Sequence, residues 1–449
     1  MTDSDTIAAI ASAAGRGAVG VLKISGPEVP RIAAAILGRV PDARRAHLGR
    51  FQDAQGESID EGIAVYYPAP ASFTGEHVLE LQGHGGILVM DLLMQRALEL
   101  GCRAARPGEF SERAFMNGKM DMAQAEAVAD LIDAGTAAAA RAAVRSMQGE
   151  FSGRIGELQL LITDLRVHVE ALIDFPDEDI DFLASAAFTE RVARLFAAFA
   201  SVESAAGQGA LLREGLTVVI AGKPNAGKSS LLNRLVGDDV AIVTPAPGTT
   251  RDVLRQQVHI DGLPLNLIDT AGLRVAHDAA EEEGVRRARR EMQRADRILY
   301  VVDAGAAPED LATELAHAQV PGGVPITVVF NKIDLIDAGP RIAGERHTEI
   351  FLSALTGAGL ELLRTHLKDS AGYRDVESGA LAARRRHLDA LARARALVQS
   401  AAEALKTSQT VELFAEDLRL AQLALGEITG EVSSDDLLGA IFGSFCIGK

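Results

Sequence analysis

The most specific chemistry in the sequence lies in Gly222-Lys223-Pro224-Asn225-Ala226-Gly227-Lys228-Ser229, a G-x-x-x-x-G-K-S run followed by Ser230. Residues 216–220 before it are apolar and read as a buried strand, and 230–235 after it read as the start of a helix. Strand, glycine loop and helix in that order form the context in which the pattern holds phosphate. The glycines let backbone N–H groups turn inward around phosphate oxygens, and the helix N-terminus adds partial positive charge. Lys228 is expected to reach the β- and γ-phosphates and Ser229 to bind Mg²⁺.

Further along, Asn331-Lys332-Ile333-Asp334 closes an apolar strand. A carboxylate at Asp334 can accept from both N1–H and the 2-amino group of guanine, neither of which adenine offers, so GTP is expected over ATP. Lys332 would lay its stem along the purine, and Ser353-Ala354-Leu355 would bring a backbone N–H to the guanine O6. Asp269-Thr270-Ala271-Gly272 ends another strand; Asp269 would hold a Mg²⁺-bound water and Gly272 would donate its N–H to the γ-phosphate. Between the two lies Thr244-Pro245-Ala246-Pro247-Gly248-Thr249-Thr250-Arg251-Asp252, read as a loop whose threonine closes over Mg²⁺ when the γ-phosphate is present. Leu273 stands where some GTPases use a glutamine to orient water, and leucine cannot do so. Glu281, Glu282 and Glu283, read as part of the following loop, could orient water; Glu282 and Glu283 could instead pair with Arg286 and Arg287 at i,i+4 spacing. A monovalent cation on the neutral amide oxygen of Asn225 would supply the positive charge that an arginine finger gives elsewhere.

These groups need a frame. Residues 252–260 and 263–268 flank Asp261-Gly262, a dipeptide suited to a tight hairpin. With strands at 298–303, 326–331 and 349–353, this predicts a doubly wound, mostly parallel sheet with one antiparallel strand over 215–372. Residues 1–118 read as a mixed α/β unit with strands near 19–24, 63–67 and 78–82 and a helix over 87–98; His84, between glycines, receives no role. From 119 to 212 the chain is Ala-rich and helical, with Leu158, Leu161, Leu165 and Leu172 on one face and a break at Pro176. It is helical again over 380–449, with Leu418, Ala421, Leu425 and Ile428 on one face, Gly430 as a stop, and Ser433 or Ser434 capping a last helix. The two helical stretches, 119–212 and 380–449, would pack as one domain into which the nucleotide-binding domain is inserted.

The 449 residues are too many for one core. No apolar run approaches the roughly 18 residues of a membrane span, and the acidic N-terminus does not suit a signal peptide. Two cysteines, Cys102 and Cys446, exclude a disulfide framework and fit a cytoplasmic protein. A net charge of −17 argues against nucleic-acid binding by the whole surface. Arg384, Arg385 and Arg386 read as the one dense basic spot.

Several segments together resemble the MnmE (TrmE) family of tRNA-modification GTPases over essentially the full length. They are Phe73-Thr74-Gly75-Glu76, Leu79-Glu80-Leu81-Gln82-Gly83-His84-Gly85-Gly86, residues 106–115, Gly248-Thr249-Thr250-Arg251-Asp252 and the tail Phe445-Cys446-Ile447-Gly448-Lys449. The resemblance implies an N-terminal folate-binding and dimerisation domain (1–118), a discontinuous helical domain (119–212 and 380–449) and an inserted GTPase domain (215–372). It implies a homodimer, K⁺ held by Asn225, Thr244, Ala246 and Thr249, and Mg²⁺ held by Ser229 and Thr250. It places the water-orienting glutamate at Glu281, three residues before Gly284. A tetrahydrofolate derivative (5-formyl or methylene) would be held by Lys23, Glu80, Lys119 and Lys449, with Lys23 where an arginine is familiar; the resemblance puts Cys446 in the modification site, while the residue by itself equally suits a buried structural cysteine. The implied activity adds an aminomethyl or carboxymethylaminomethyl group to C5 of the wobble uridine of certain tRNAs. A flavoprotein partner, MnmG (GidA), would bring FAD and join in a heterotetramer or larger complex. A plain regulatory GTPase, such as a ribosome-assembly switch, shares the nucleotide motifs but not the N-terminal segments or the tail. A folate enzyme with a vestigial GTPase domain conflicts with intact Lys228, Ser229, Thr250, Asp269 and Asp334.

Overall fold

The computed structural model describes residues 5–174, 186–237, 255–269, 279–306, 311–317, 320–321, 323–336, 338–373, 379–408, 411–431, 435–446 and 448. The chain divides into two compact units, Met1–Ala129 with Ser146–Phe199 and Asp389–Lys449, and Asp130–Arg145 with Ala200–Leu388.

In the first unit, β1 (Ile7–Ile10), β2 (Val19–Ser25), α1 (Val29–Leu37), β3 (His47–Gln52), β4 (Ser58–Tyr67), β5 (Val78–His84), α2 (Ile87–Glu99) and β6 (Arg103–Ala104) build an α/β layer. The sheet order is β3-β4-β5-β2-β1-β6, antiparallel except for β1 with β6. Alternation along β2 and β5 sends Leu22, Ile24, Leu79 and Leu81 into a core shared with Ile32 and Ile36 of α1 and Leu93 of α2. The helix expected over 87–98 is α2. Sequence reading missed β1, β3 and β6; β1 and β6 are short, and β3 alternates half-buried with exposed residues rather than apolar with polar.

Helix α3 (Glu109–Met116) carries an ion-pair network. The buried Glu109 carboxylate receives Arg103, the Arg106 N–H and Arg113, while Arg113 also reaches Asp5 and Glu76. Burial alone would raise the Glu109 carboxyl, but bonds and charge from Arg103, Arg106 and Arg113 outweigh it and hold it at about 2. Its contribution to stability is therefore complete above the usual carboxyl range near 4.5 and is lost as pH falls from there through about 2. Replacing Glu109 by Gln removes the buried charge on which Arg103 and Arg113 converge while leaving both arginines their bonds to Asp5, and is expected to cost about 1–3 kcal/mol. Urea unfolding of the full chain between pH 2 and 6 checks both points: the acid-side loss of midpoint should shrink in E109Q, and parallel pH profiles would contradict the assignment.

The helical stretches follow as α4 (Met122–Ile132), α5 (Ala137–Met147), α6 (Glu150–Asp174) and α7 (Ala186–Glu214). The buried stripe of α6 is Phe151, Ile155, Leu158, Ile162, Leu165 and Val169. Leu161, expected on that stripe, is only half-buried, because the alternating four- and three-residue stepping passes through Ile162. By length and composition α7 is the one described helix that could cross a membrane. This departs from the expectation that no such segment exists; its apolar content serves packing at Leu195, Phe199, Val202 and Ala206.

In the second unit, β7 (Leu216–Gly222), α8 (Lys228–Gly237), β8 (Arg255–Ile260), β9 (Leu263–Asp269), α9 (Ala279–Arg294), β10 (Arg297–Asp303), α10 (Leu311–His317), β11 (Ile326–Asn331), β12 (Arg341–Ala343), β13 (Thr348–Phe351) and α11 (Leu360–Ser370) form the doubly wound domain. The sheet order is β12-β13-β11-β10-β7-β9-β8. Both faces of its centre are buried, Val218, Ile220 and Val301 on one side and Val219, Tyr300 and Val328 on the other, as a parallel sheet requires. Asp261 and Gly262 turn the β8–β9 hairpin with φ of 49° and 88°. Two edge strands are antiparallel, not the single one expected: β8 on β9, and β12 on β13. The three-residue β12 is too short and too exposed to show in a pattern.

The chain ends in α12 (Arg385–Ser408), α13 (Val411–Thr429) and α14 (Asp435–Gly443). Leu418, Ala421, Leu425 and Ile428 of α13 are buried as expected, and Gly430, at φ 86°, ends the helix. Within the first unit α13 lies against α6, with Gln422 bonded to Arg166 and Thr163 and Phe188 against Phe414. The proposed caps Ser433 and Ser434 and the break at Pro176 lie outside the described residues.

Candidate functional site

Every described candidate for nucleotide chemistry sits at or just beyond the carboxyl end of a strand of the doubly wound sheet. Gly222 ends β7, flanked by β10 on one side and β9 on the other. The chain leaves β7 toward β9 and later returns to β10, so this is the point where strand order reverses and where such sheets bind ligands. A Cβ on Gly222, at φ 138°, would lie 2.2 Å from the Val301 carbonyl, and one on Gly227, at φ 96°, 2.1 Å from Asn331 Nδ2. Asn225 adopts φ 64° and is exposed at the loop tip.

Lys228 opens α8, and its buried ammonium donates to the Gly222 and Lys223 carbonyls at 2.9 and 2.7 Å. That holds the charge inside the loop, where phosphate oxygens would be received. Ser229 Oγ donates to Asp269 Oδ2 at 3.3 Å, bringing together a hydroxyl and a carboxylate. Hard oxygen donors of this kind suit Mg²⁺, which keeps several waters and needs few protein ligands. Ser230 and Ser229 are exposed, and Ala226 is buried.

Asn331 joins the phosphate and base loops: its Nδ2 donates to the Ala226 carbonyl at 3.0 Å, and its Oδ1 accepts the Ala354 N–H at 2.9 Å. Lys332, at φ 68°, is fixed by Asp303 at 2.7 Å, and that bond is the main cause holding the Asp303 carboxyl down. Asp334 lies exposed in a single 3₁₀ turn anchored by buried Ile333. The expectation for 353–355 is narrowed. Ser353 N–H is used by the Ala358 carbonyl and Ala354 N–H by Asn331, leaving only Leu355 N–H without a partner among the described residues.

An unforeseen contact steadies the loop from outside. Lys223 Nζ donates to Glu314 Oε2 at 2.9 Å, and Tyr300 hydroxyl donates to the other oxygen of this buried carboxylate at 3.2 Å. Burial, with Glu314 nearby, pushes the Tyr300 hydroxyl up. The partners are 91 residues apart, so no local pattern could reveal them.

Glu281 is not in a loop: residues 281–283 lie in the first turns of α9, where acids suit the positive helix end and the arginines one turn on. Its side chain lies outside the described residues. So do Thr244, Pro245, Ala246, Pro247, Gly248, Thr249, Thr250, Thr270, Ala271, Gly272, Leu273 and Lys449. Of the four residues expected around K⁺, only Asn225 is placed.

In the N-terminal unit, Lys23 and Glu80 face each other across β2 and β5, with their charged atoms 4.0 Å apart. The Lys23 ammonium sits 4.7 Å from the Phe73 ring centre and 5.5 Å from that of Phe110. Burial lowers its proton affinity and Glu80 opposes this. Lys119 Nζ donates to the Pro70 carbonyl at 3.1 Å, and its stem packs beside Gly75. A cation, a carboxylate and an aromatic face suit a flat, polar-edged ring with acidic substituents, so the residues present fit a pterin. The tail is seated on the same unit: Gly108 N–H donates to the Cys446 carbonyl at 3.3 Å, and Gly448 packs on Ile10 and Ala11 beside β2. Cys446 is free and exposed. Cys102 is buried, and burial pushes its thiol up to about 11. His84 is exposed and its Nδ1 lies 2.8 Å from Asp60.

Residues 122–446 match the family model described as the MnmE helical domain, and residues 6–119 match that described as the GTP-binding protein TrmE N-terminus. The chain is 54% identical over 454 residues to a tRNA modification GTPase MnmE of Sodalis glossinidius, covering 100% of both chains. It is 56% identical over 446 residues to the protein of that name from Alkalilimnicola ehrlichii, covering 99% of each. Among solved structures, Aquifex aeolicus Era is similar over 36% of this chain and 57% of its own, with 29% identity and a TM-score of 0.27.

Proposed function

Since the chain belongs to the MnmE (TrmE) family of tRNA-modification GTPases, we propose that it couples K⁺-stimulated GTP hydrolysis to addition of an aminomethyl or carboxymethylaminomethyl group at C5 of the wobble uridine. A tetrahydrofolate derivative supplies the one-carbon unit when bound, and the flavoprotein MnmG (GidA) brings FAD. The protein acts in the cytoplasm as a homodimer. The division into 1–118, 119–212 with 380–449, and 215–372 is part of the same reading. The observation that carries it is the seating of the Cys446 tail on the unit that pairs Lys23 with Glu80, in a chain whose other unit holds a complete phosphate loop.

The chain's own residues divide the work. Lys228 and the loop N–H groups hold the β- and γ-phosphates, and Ser229 and Thr250 hold Mg²⁺, which draws charge from the phosphate oxygens. Asp334 reads the guanine edge and Lys332 covers the ring. Asn225, with Thr244, Ala246 and Thr249, holds K⁺, and Glu281 orients the attacking water in place of Leu273. Glu80 accepts from the amino-pyrimidine edge of the pterin, as Asp334 does from guanine, while Lys23, Lys119 and Lys449 meet the folate's anionic groups. Cys446 faces the modification chemistry.

GTP turnover in K⁺ and in Na⁺ at matched ionic strength tests the hydrolytic half. Fast turnover is expected only with GTP and K⁺, and Glu281→Ala should lose it while Glu282→Ala and Glu283→Ala keep it. Equal rates in both salts would overturn the cation assignment and favour an ordinary regulatory switch.

A further inference from the structure

We propose that the arginine face of α9 is a contact for the phosphate backbone of tRNA. Residues 286–294 hold five arginines in nine positions, more than the three of the 384–386 run. That run is largely committed elsewhere: Arg384 is bound to Asp130 at 2.9 Å, and of the three only Arg385 is exposed. On α9, Met292 packs into the core and Ala288 against it, while Arg286, Arg289, Arg290, Gln293 and Arg294 are exposed on the opposite side.

Arg286, Arg290 and Arg294 recur at every fourth residue, a row about 12 Å long. One strand of a duplex presents a phosphate about every 3.4 Å of axis, so the row faces several phosphates. Like charges at i,i+4 destabilise a helix, and Arg290 has an arginine four residues away on each side. By spacing, Glu282 and Glu283 fall one turn before Arg286 and Arg287 rather than beside Arg290. No ion pair fixes Arg289, Arg290 or Arg294 among the described residues. A face that works against its own helix, on a chain of net charge −17, fits a polyanion supplied from outside. This assignment rests on tRNA being the substrate.

The test is binding of tRNA by the full-length protein, with and without the flavoprotein, across a salt series, comparing it with R289Q/R290Q/R294Q. The variant relieves repulsion, so its fold and GTP affinity are expected to hold. The slope of log affinity against log salt should fall by about 0.7–0.9 per arginine removed, with affinity at low salt reduced at least about tenfold. Equal slopes and affinities would overturn the α9 assignment and leave tRNA as substrate intact. Loss of flavoprotein binding with tRNA binding unchanged would overturn it in favour of an acidic protein partner. No tRNA binding by the unsubstituted protein under either condition would overturn both.

Discussion

Asp334→Asn should weaken GTP binding by about a hundredfold or more, because one charge-assisted bond to the guanine edge becomes neutral and the other is replaced by an amide N–H facing the 2-amino group. The same variant should gain affinity for xanthosine triphosphate. Xanthine carries a carbonyl where guanine has its 2-amino group, so the asparagine amide can donate there while its oxygen still accepts N1–H. The carboxylate depends on its setting: Ile333 anchors the turn, and Asn331 ties the base loop to Ala226 and Ala354. Affinities from displacement of a fluorescent guanine nucleotide would check this. Unchanged GTP affinity would mean that the base is read elsewhere.

The second large effect is expected at Lys228. Its ammonium is buried and held between the Gly222 and Lys223 carbonyls, so the loop already surrounds a positive charge before any phosphate arrives. Lys228→Ala removes that positive charge from the position where negative charge builds on the phosphate oxygens during transfer. A loss of about 10²–10³ in turnover is expected for one such preorganised group. Alanine is a good helix residue, so α8 should persist. A variant that keeps its far-UV spectrum and melting profile yet hydrolyses GTP at the unsubstituted rate would contradict the assignment.

The sequence makes some of this plain because local chemistry decides it. The phosphate loop depends on glycines at fixed offsets, and Gly222 and Gly227 occupy backbone and contact positions that no other residue fits. Asp261-Gly262 turns its hairpin by itself, and the stripe of α13 follows helical stepping. Strand β11 has the bounds expected from its apolar run.

Other parts depend on distant partners. Lys223 meets Glu314, and Arg103 meets Asp5 across 98 residues, so neither pair has a local signature. Strand β12 is three exposed residues, held by pairing with β13 and by Arg341 over the Phe351 ring. Glu281 lies in the first turns of α9, where acids suit the positive helix end, and not in the loop expected there. At 353–355 the sequence offers three N–H groups for a guanine O6, and only the hydrogen-bond partners of Ser353 and Ala354 single out that of Leu355 as unengaged among the described residues.

The most direct measurement is nucleoside analysis of tRNA after incubation of the full-length protein with the flavoprotein, a tetrahydrofolate donor, an amine and GTP. The account predicts a modified wobble uridine with the unsubstituted chain and GTP, and almost none with GDP or with the Lys228→Ala chain. Full modification by a Lys228→Ala chain that no longer hydrolyses GTP would contradict the coupling of the phosphate loop to tRNA modification.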